Sequence, residues 1–120
     1  YEYDEKFISE SRRYFESGEQ TTVIALDGQT PVGCASLSYI WIMPTFSHPT
    51  GNRAHLMNVY TRADHRRSGI SKKMVEILIE EAKENGVTEI SLDATEIGRP
   101  LYEVLGFQAS DSCMVMELNM

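Results

Sequence analysis

With 120 residues, 42% of them hydrophobic, and a formal net charge of −7, the chain is sized for one globular domain with apolar mass enough for a core. The acidic balance excludes general nucleic-acid binding, which needs a basic footprint to neutralise phosphate. No apolar run approaches the roughly 20 residues of a membrane span, and the start lacks the pattern of a signal peptide, so a cytoplasmic protein with no membrane partner is expected.

In chain order, Phe7, Ile8, Tyr14 and Phe15 recur at helical spacing among charged neighbours and predict a surface helix over 2–16, ended by Ser17-Gly18. Thr21 to Leu26 and Val32 to Met43 are alternating, β-branched and aromatic, and the Asp27-Gly28 turn between them predicts a hairpin. Thr45 to Asn52, with Pro49 and Gly51, reads as a loop leading into a third strand from Ala54 to Tyr60. The period then changes. Ile70, Met74, Ile77, Leu78 and Ala82 predict a long amphipathic helix closed by Asn85-Gly86.

Ile90, Leu92 and Ala94 alternate in a further strand, Arg99 to Leu105 form a short helix ended by Gly106, and Cys113 to Leu118 read as a last strand. Strand, helix, strand in the second half implies a parallel pair joined by a right-handed crossover, so the expected class is mixed α/β. Cys34 and Cys113 lie in apolar, strand-like contexts without CxxC spacing and are expected as buried thiols, not as a disulfide or metal ligands. Tyr1 is not a methionine and a helix is already under way, so the expectation is one domain over 1–120 that is incomplete at its N-terminus.

Charge is spread evenly except in one stretch: Arg62 to Lys73 sets five cations against one acid at the entrance to the long helix. A helix N-terminus carries partial positive charge and unpaired N–H groups, so cations there cost about 0.3–1 kcal/mol each. An anion such as pyrophosphate on those N–H groups reverses the sign, and Gly69 lets backbone approach it with no side chain between. A solvated basic patch is the alternative. Asp64 stands where a Walker loop needs glycine, and no glycine follows Gly69 closely enough for a dinucleotide fingerprint.

What remains, Arg66-Arg67-Ser68-Gly69-Ile70-Ser71 between a strand and a long helix, resembles the acetyl-CoA loop of the GCN5-related N-acetyltransferase superfamily, Gln/Arg-x-x-Gly-x-Gly/Ala. Arg66 and Gly69 match; Ser71 stands where Gly or Ala is usual. Arg99-Pro100-Leu101-Tyr102-Glu103-Val104-Leu105-Gly106-Phe107 is similar to the same family's closing signature. The resemblance covers about residues 21 to 120. It implies the acyl-CoA N-acyltransferase fold: a mostly antiparallel sheet, flanked by helices, whose parallel pair splays at the cofactor cleft, with the family's first strand and helix lying upstream of this chain. A homodimer is compatible with it.

By that resemblance, backbone N–H groups near Val59 and Thr61 hold the pantetheine of acetyl-CoA, and those of Arg67, Ser68, Gly69, Ile70 and Ser71, with Arg66, hold the pyrophosphate. No metal is implied. The reaction is direct attack of a primary amine, on a small molecule or peptide, upon the thioester, which needs a base, an oxyanion donor and an acid. Tyr102 is placed as the acid toward the leaving sulfur. His55 is the candidate base, with Asp93 and Glu96 as alternative proton relays through water, and His65 beside the phosphates. Tyr39, Trp41, Phe46 and His48 are expected to border the acceptor. A CoA-binding module without turnover is the competing expectation.

Overall fold

The computed structural model describes residues 5–110 and 112–118. Helix α1 (Glu5–Glu16) is followed by β1 (Gln20–Asp27), β2 (Thr30–Trp41) and β3 (Asn52–Thr61), then α2 (Ile70–Glu84), β4 (Glu89–Leu92) and α3 (Arg99–Val104). Residues 2–4 of the expected first helix lie outside the described residues. The four strands form one sheet in the order β1-β2-β3-β4, antiparallel except for the parallel pair β3–β4.

Alternation along the strands divides the sheet into two unlike faces. Ala35 and Leu37 of β2 and Ala54 and Leu56 of β3 turn to one face, where Met74, Val75, Leu78 and Ala82 of α2 bury against them. Tyr102, Leu105 and Phe107 extend this layer on the same side. Full burial of Leu37, Met74, Leu78 and Val75 contributes about 1.5–3 kcal/mol each before the entropy of ordering is subtracted. Gly33 marks the closest approach: a Cβ there would meet the Tyr60 carbonyl oxygen at 2.9 Å and Met74 Cε at 3.1 Å.

Three expectations fail. Residues 113–118 form no strand, and Met114, Val115, Met116 and Leu118 are exposed. Alternating apolar residues give a segment the capacity to pair, but a strand exists only where a partner ladder is met, and this segment meets none among the described residues. For the same reason Cys113 is exposed and not a buried thiol; Cys34 is half-buried, and both are free. The second hairpin strand also stops at Trp41 instead of Met43, where the Ile42 N–H turns to the Gly51 carbonyl 2.9 Å away.

Candidate active site

The parallel pair is short. It runs from Arg53 opposite Glu89 to Leu56 opposite Leu92, after which β4 ends while β3 continues to Thr61. Met57 to Thr61 therefore present an open strand edge, alternate residues of which turn N–H and C=O groups outward. A bulge bends this same stretch: the β2–β3 register slips between Cys34 and Ser36, and Asn58 takes φ 56°. Asn tolerates the left-handed region because its short amide bonds locally. The Cys34 thiol donates to the Asn58 carbonyl at 3.3 Å. Val59, inside the bulge, packs on the core, and Thr61 is buried.

From Thr61 the chain passes through a single 3-10 turn (Ala63–His65) into the basic loop. Gly69 precedes α2 at φ +83° with no side chain capping the helix, and a Cβ placed on it would meet nothing within 4 Å. The first-turn N–H groups, beginning at Ile70 and Ser71, have no capping side chain, which fits an anion. Arg66 lies back along β3: its Nε donates to the Thr61 carbonyl at 2.9 Å and its guanidinium sits 5.8 Å from the Tyr60 ring centroid. The Ser68 hydroxyl donates to the His65 carbonyl at 2.6 Å and closes the turn. Ser71 fits its small-residue position by sharing a hydrogen bond with the Thr61 hydroxyl, 2.6 Å away.

Arg67 takes φ 65°, a conformation costing a non-glycine residue about 1–2 kcal/mol. Lys72 and Lys73 are exposed in the first turn of α2.

Tyr102 sits on α3 with its ring edge-on to Phe107, centroids 5.9 Å apart, on the core face of the sheet. Burial pushes its phenol above the ordinary tyrosine value, so it stays protonated at neutral pH. His55, paired in register with Ser38, alternates with Ala54 and Leu56 and so stands on the opposite face. Its Nδ1 is 2.7 Å from the Ser91 hydroxyl and its Nε2 3.6 Å from the Asp93 carboxylate. The structure thus joins His55 and Asp93 into one pair, whereas Tyr102 and His55 lie on different sides of the β3–β4 seam. Glu96 is exposed and makes no ion pair among the described residues.

The aromatic residues expected at the acceptor lie toward the start of β3. Trp41 pairs with Asn52, and Tyr39 with Ala54, next to the Ser38–His55 pair. The Tyr39 hydroxyl is shared with Thr21 at 2.8 Å and accepts from Asn85 at 3.3 Å, near the far end of α2. His48 bonds Thr88 and faces Glu89 at the start of β4, and Phe46 is fully exposed. These side chains gather around the Asn52 end of β3, whereas the open edge begins at Met57. Sequence reasoning missed the Asn58 bulge, the left-handed backbone of Arg67 and the contacts of His65 with Asp27 and Asp64, although both Arg67 and His65 were named for the loop. An asparagine inside an apolar strand is the one signal that could have revealed the first.

An open strand edge running directly into an uncapped, glycine-led helix is the arrangement that the sequence resemblance implies. The profile of the acetyltransferase (GNAT) family matches residues 1–107. The chain belongs to this family. Among curated GNAT relatives it is 35% identical over 89 residues to the glucosamine 6-phosphate N-acetyltransferase of Trypanosoma brucei brucei, covering 72% of this chain and 57% of that protein. It is 28% identical over 116 residues to the aminoglycoside N(6')-acetyltransferase type 1 of Acinetobacter genomosp. 13, covering 92% and 77%. A crystal structure of a predicted acetyltransferase with acetyl-CoA from Clostridium acetobutylicum superposes with a TM-score of 0.87 at 30% identity, covering 98% of this chain and 79% of that one. The chain therefore spans little more than half the length of the trypanosome relative.

Proposed function

We propose that this GNAT domain is an N-acetyltransferase that moves an acetyl group from acetyl-CoA to a primary amine in a ternary complex. The observation that carries this is the continuity of the open β3 edge at Met57–Thr61 with the uncovered N-terminus of α2 at Gly69. Backbone groups near Val59 and Thr61 suit an extended amide-bearing arm laid along a strand edge. The N–H groups of Arg67 to Ser71, with the Arg66 guanidinium, suit a pyrophosphate. Acetyl-CoA supplies the activated thioester.

Tyr102, a phenol that stays protonated at neutral pH, donates to the departing sulfur from the core side of the seam in this reading. His55, bonded to Ser91 and facing Asp93, takes the ammonium proton from the other side. The named activities of the trypanosome and Acinetobacter relatives support a small-molecule acceptor, amino sugars first.

Thiol release from acetyl-CoA, measured over a panel of amines including glucosamine 6-phosphate and an aminoglycoside, tests this reading. Turnover with at least one amine, lost in Tyr102→Phe, is expected. Saturable CoA binding with no thiol release on any amine would replace the enzyme with a CoA-binding module.

A further inference from the structure

The basic loop is tied to the β1–β2 hairpin through one side chain. His65 Nε2 lies 3.0 Å from Asp27 Oδ2, and its Nδ1 lies 2.8 Å from Asp64 Oδ1. The other oxygen of Asp64 accepts from Arg62 Nη2 at 2.9 Å. Among the described residues, no other ionisable side chain bonds the ring. Asp27 closes β1, 38 positions away in sequence, so the contact fixes the loop to the body of the sheet. The His65 backbone is pinned as well, its N–H donating to Arg62 at 2.9 Å and its carbonyl accepting from Ser68.

Both ring nitrogens face carboxylate oxygens. An ionised carboxylate only accepts, and a neutral imidazole carries a single N–H, so both contacts are hydrogen bonds only in the doubly protonated ring. We propose that His65 is a positioning residue of the cofactor loop, held as an imidazolium between Asp27 and Asp64, and that loss of its proton weakens binding of the CoA pyrophosphate. This rests on the CoA-binding reading above.

Two effects act in the same direction. Without the proton, one carboxylate faces a ring lone pair and releases its side of the clamp, so Arg66 to Gly69 lose their fixed starting point. The trio of Asp27, His65 and Asp64 also passes from a net charge of −1 to −2 beside a site for an anion, which opposes binding. The two carboxylate hydrogen bonds, that from Asp27 foremost, hold the His65 pKa above the usual imidazole value, so the change falls at higher pH than for a free imidazole.

The test is calorimetric titration with CoA between pH 6 and 9 on the wild type, His65→Gln and Asp27→Asn, with imidazole 15N shifts of His65 followed over the same range. The 3'-phosphate of CoA titrates alike against all three proteins, so the comparison is between proteins. Wild-type affinity should fall roughly three- to tenfold relative to His65→Gln as pH rises, the factor set by one hydrogen bond. His65→Gln should bind more weakly at pH 6 and follow a flat relative profile; Asp27→Asn, which keeps the ring and Asp64, should bind more weakly at pH 6 and change at lower pH than the wild type, whose two ring nitrogens should both be protonated at pH 6. Parallel profiles in all three proteins, or one bare ring nitrogen at pH 6 in the wild type, would overturn the proposal while leaving CoA binding intact. Failure of the wild type to bind CoA at pH 6 would instead remove the reading beneath it, and this proposal with it.

Discussion

The hydroxyls of Thr61 and Ser71 lie 2.6 Å apart and join the last residue of β3 to the first turn of α2 across the loop between them. Thr61 is buried, so its hydroxyl depends on that partner. Ser71→Ala leaves it unsatisfied and should cost about 1–3 kcal/mol, read as a lower urea midpoint with an unchanged slope. Ser71→Gly should cost more still, by about 1 kcal/mol of helix propensity. An unchanged midpoint in the alanine variant would mean that solvent reaches Thr61.

Arg67 departs from the loop's conformational preference. At φ 65° a glycine relieves strain that an arginine carries, partly offset by its greater freedom in the unfolded chain. Arg67→Gly is expected to gain about 0.5–1 kcal/mol in chemical denaturation. A loss of stability would show that the arginine side chain contributes more than its backbone costs.

Gly69 is the opposite case. Its φ of +83° disfavours any side chain, and the open volume before it is the space assigned to phosphate. Gly69→Val should abolish the thermal shift given by CoA while the variant, freed of ligand, melts only a few degrees lower. Retention of the full shift would move the anion site elsewhere.

Tyr102→Phe keeps the edge-on contact with Phe107 and removes only the hydroxyl. Thiol release should fall roughly 10²-fold or more, the range of general acid catalysis, with CoA affinity little changed. Equal loss of affinity and turnover would assign the hydroxyl to binding.

Stability should depend on pH through the same cluster that anchors the loop. The folded pKa of His65 is raised, so its contribution is complete below the ordinary imidazole value and is lost as pH rises through the higher folded one. That of Asp64 is lowered, chiefly by its hydrogen bond to His65, so its contribution is present above the ordinary carboxylate value and fades as pH falls through the folded one. Melting temperature should therefore plateau between these limits. His65→Gln should remove the alkaline decline and blunt the acid one; an unaltered curve would exclude the cluster as its source.

Much of this was legible because local chemistry governs it. Asp27-Gly28 announced the hairpin, and Ile70 to Ala82 the helix that follows the Gly69 loop. Features that depend on partners distant in sequence were not. Residues 113–118 have the alternation of a strand but no ladder to join among the described residues, and the place of Trp41 opposite Asn52 follows from the length and register of β2. The Asp27–His65 and Thr61–Ser71 contacts are set by how the loop folds over the sheet, which no spacing rule encodes.

The division of β3 into a buried row, Ala54 and Leu56, and an outward row, Arg53, His55 and Met57, separates what the chain needs in order to fold from what it shows to other molecules. Exchanges at Met57, the exposed member of the outward row, disturb little packing, whereas those in the buried row open cavities beneath α2. Arg53 and His55 stand between these cases, because each bonds across the seam to β4 residues, Glu89 and Ser91. Variation at Met57 can thus proceed through folded intermediates, and recognition on this scaffold can diversify there without first acquiring extra stability.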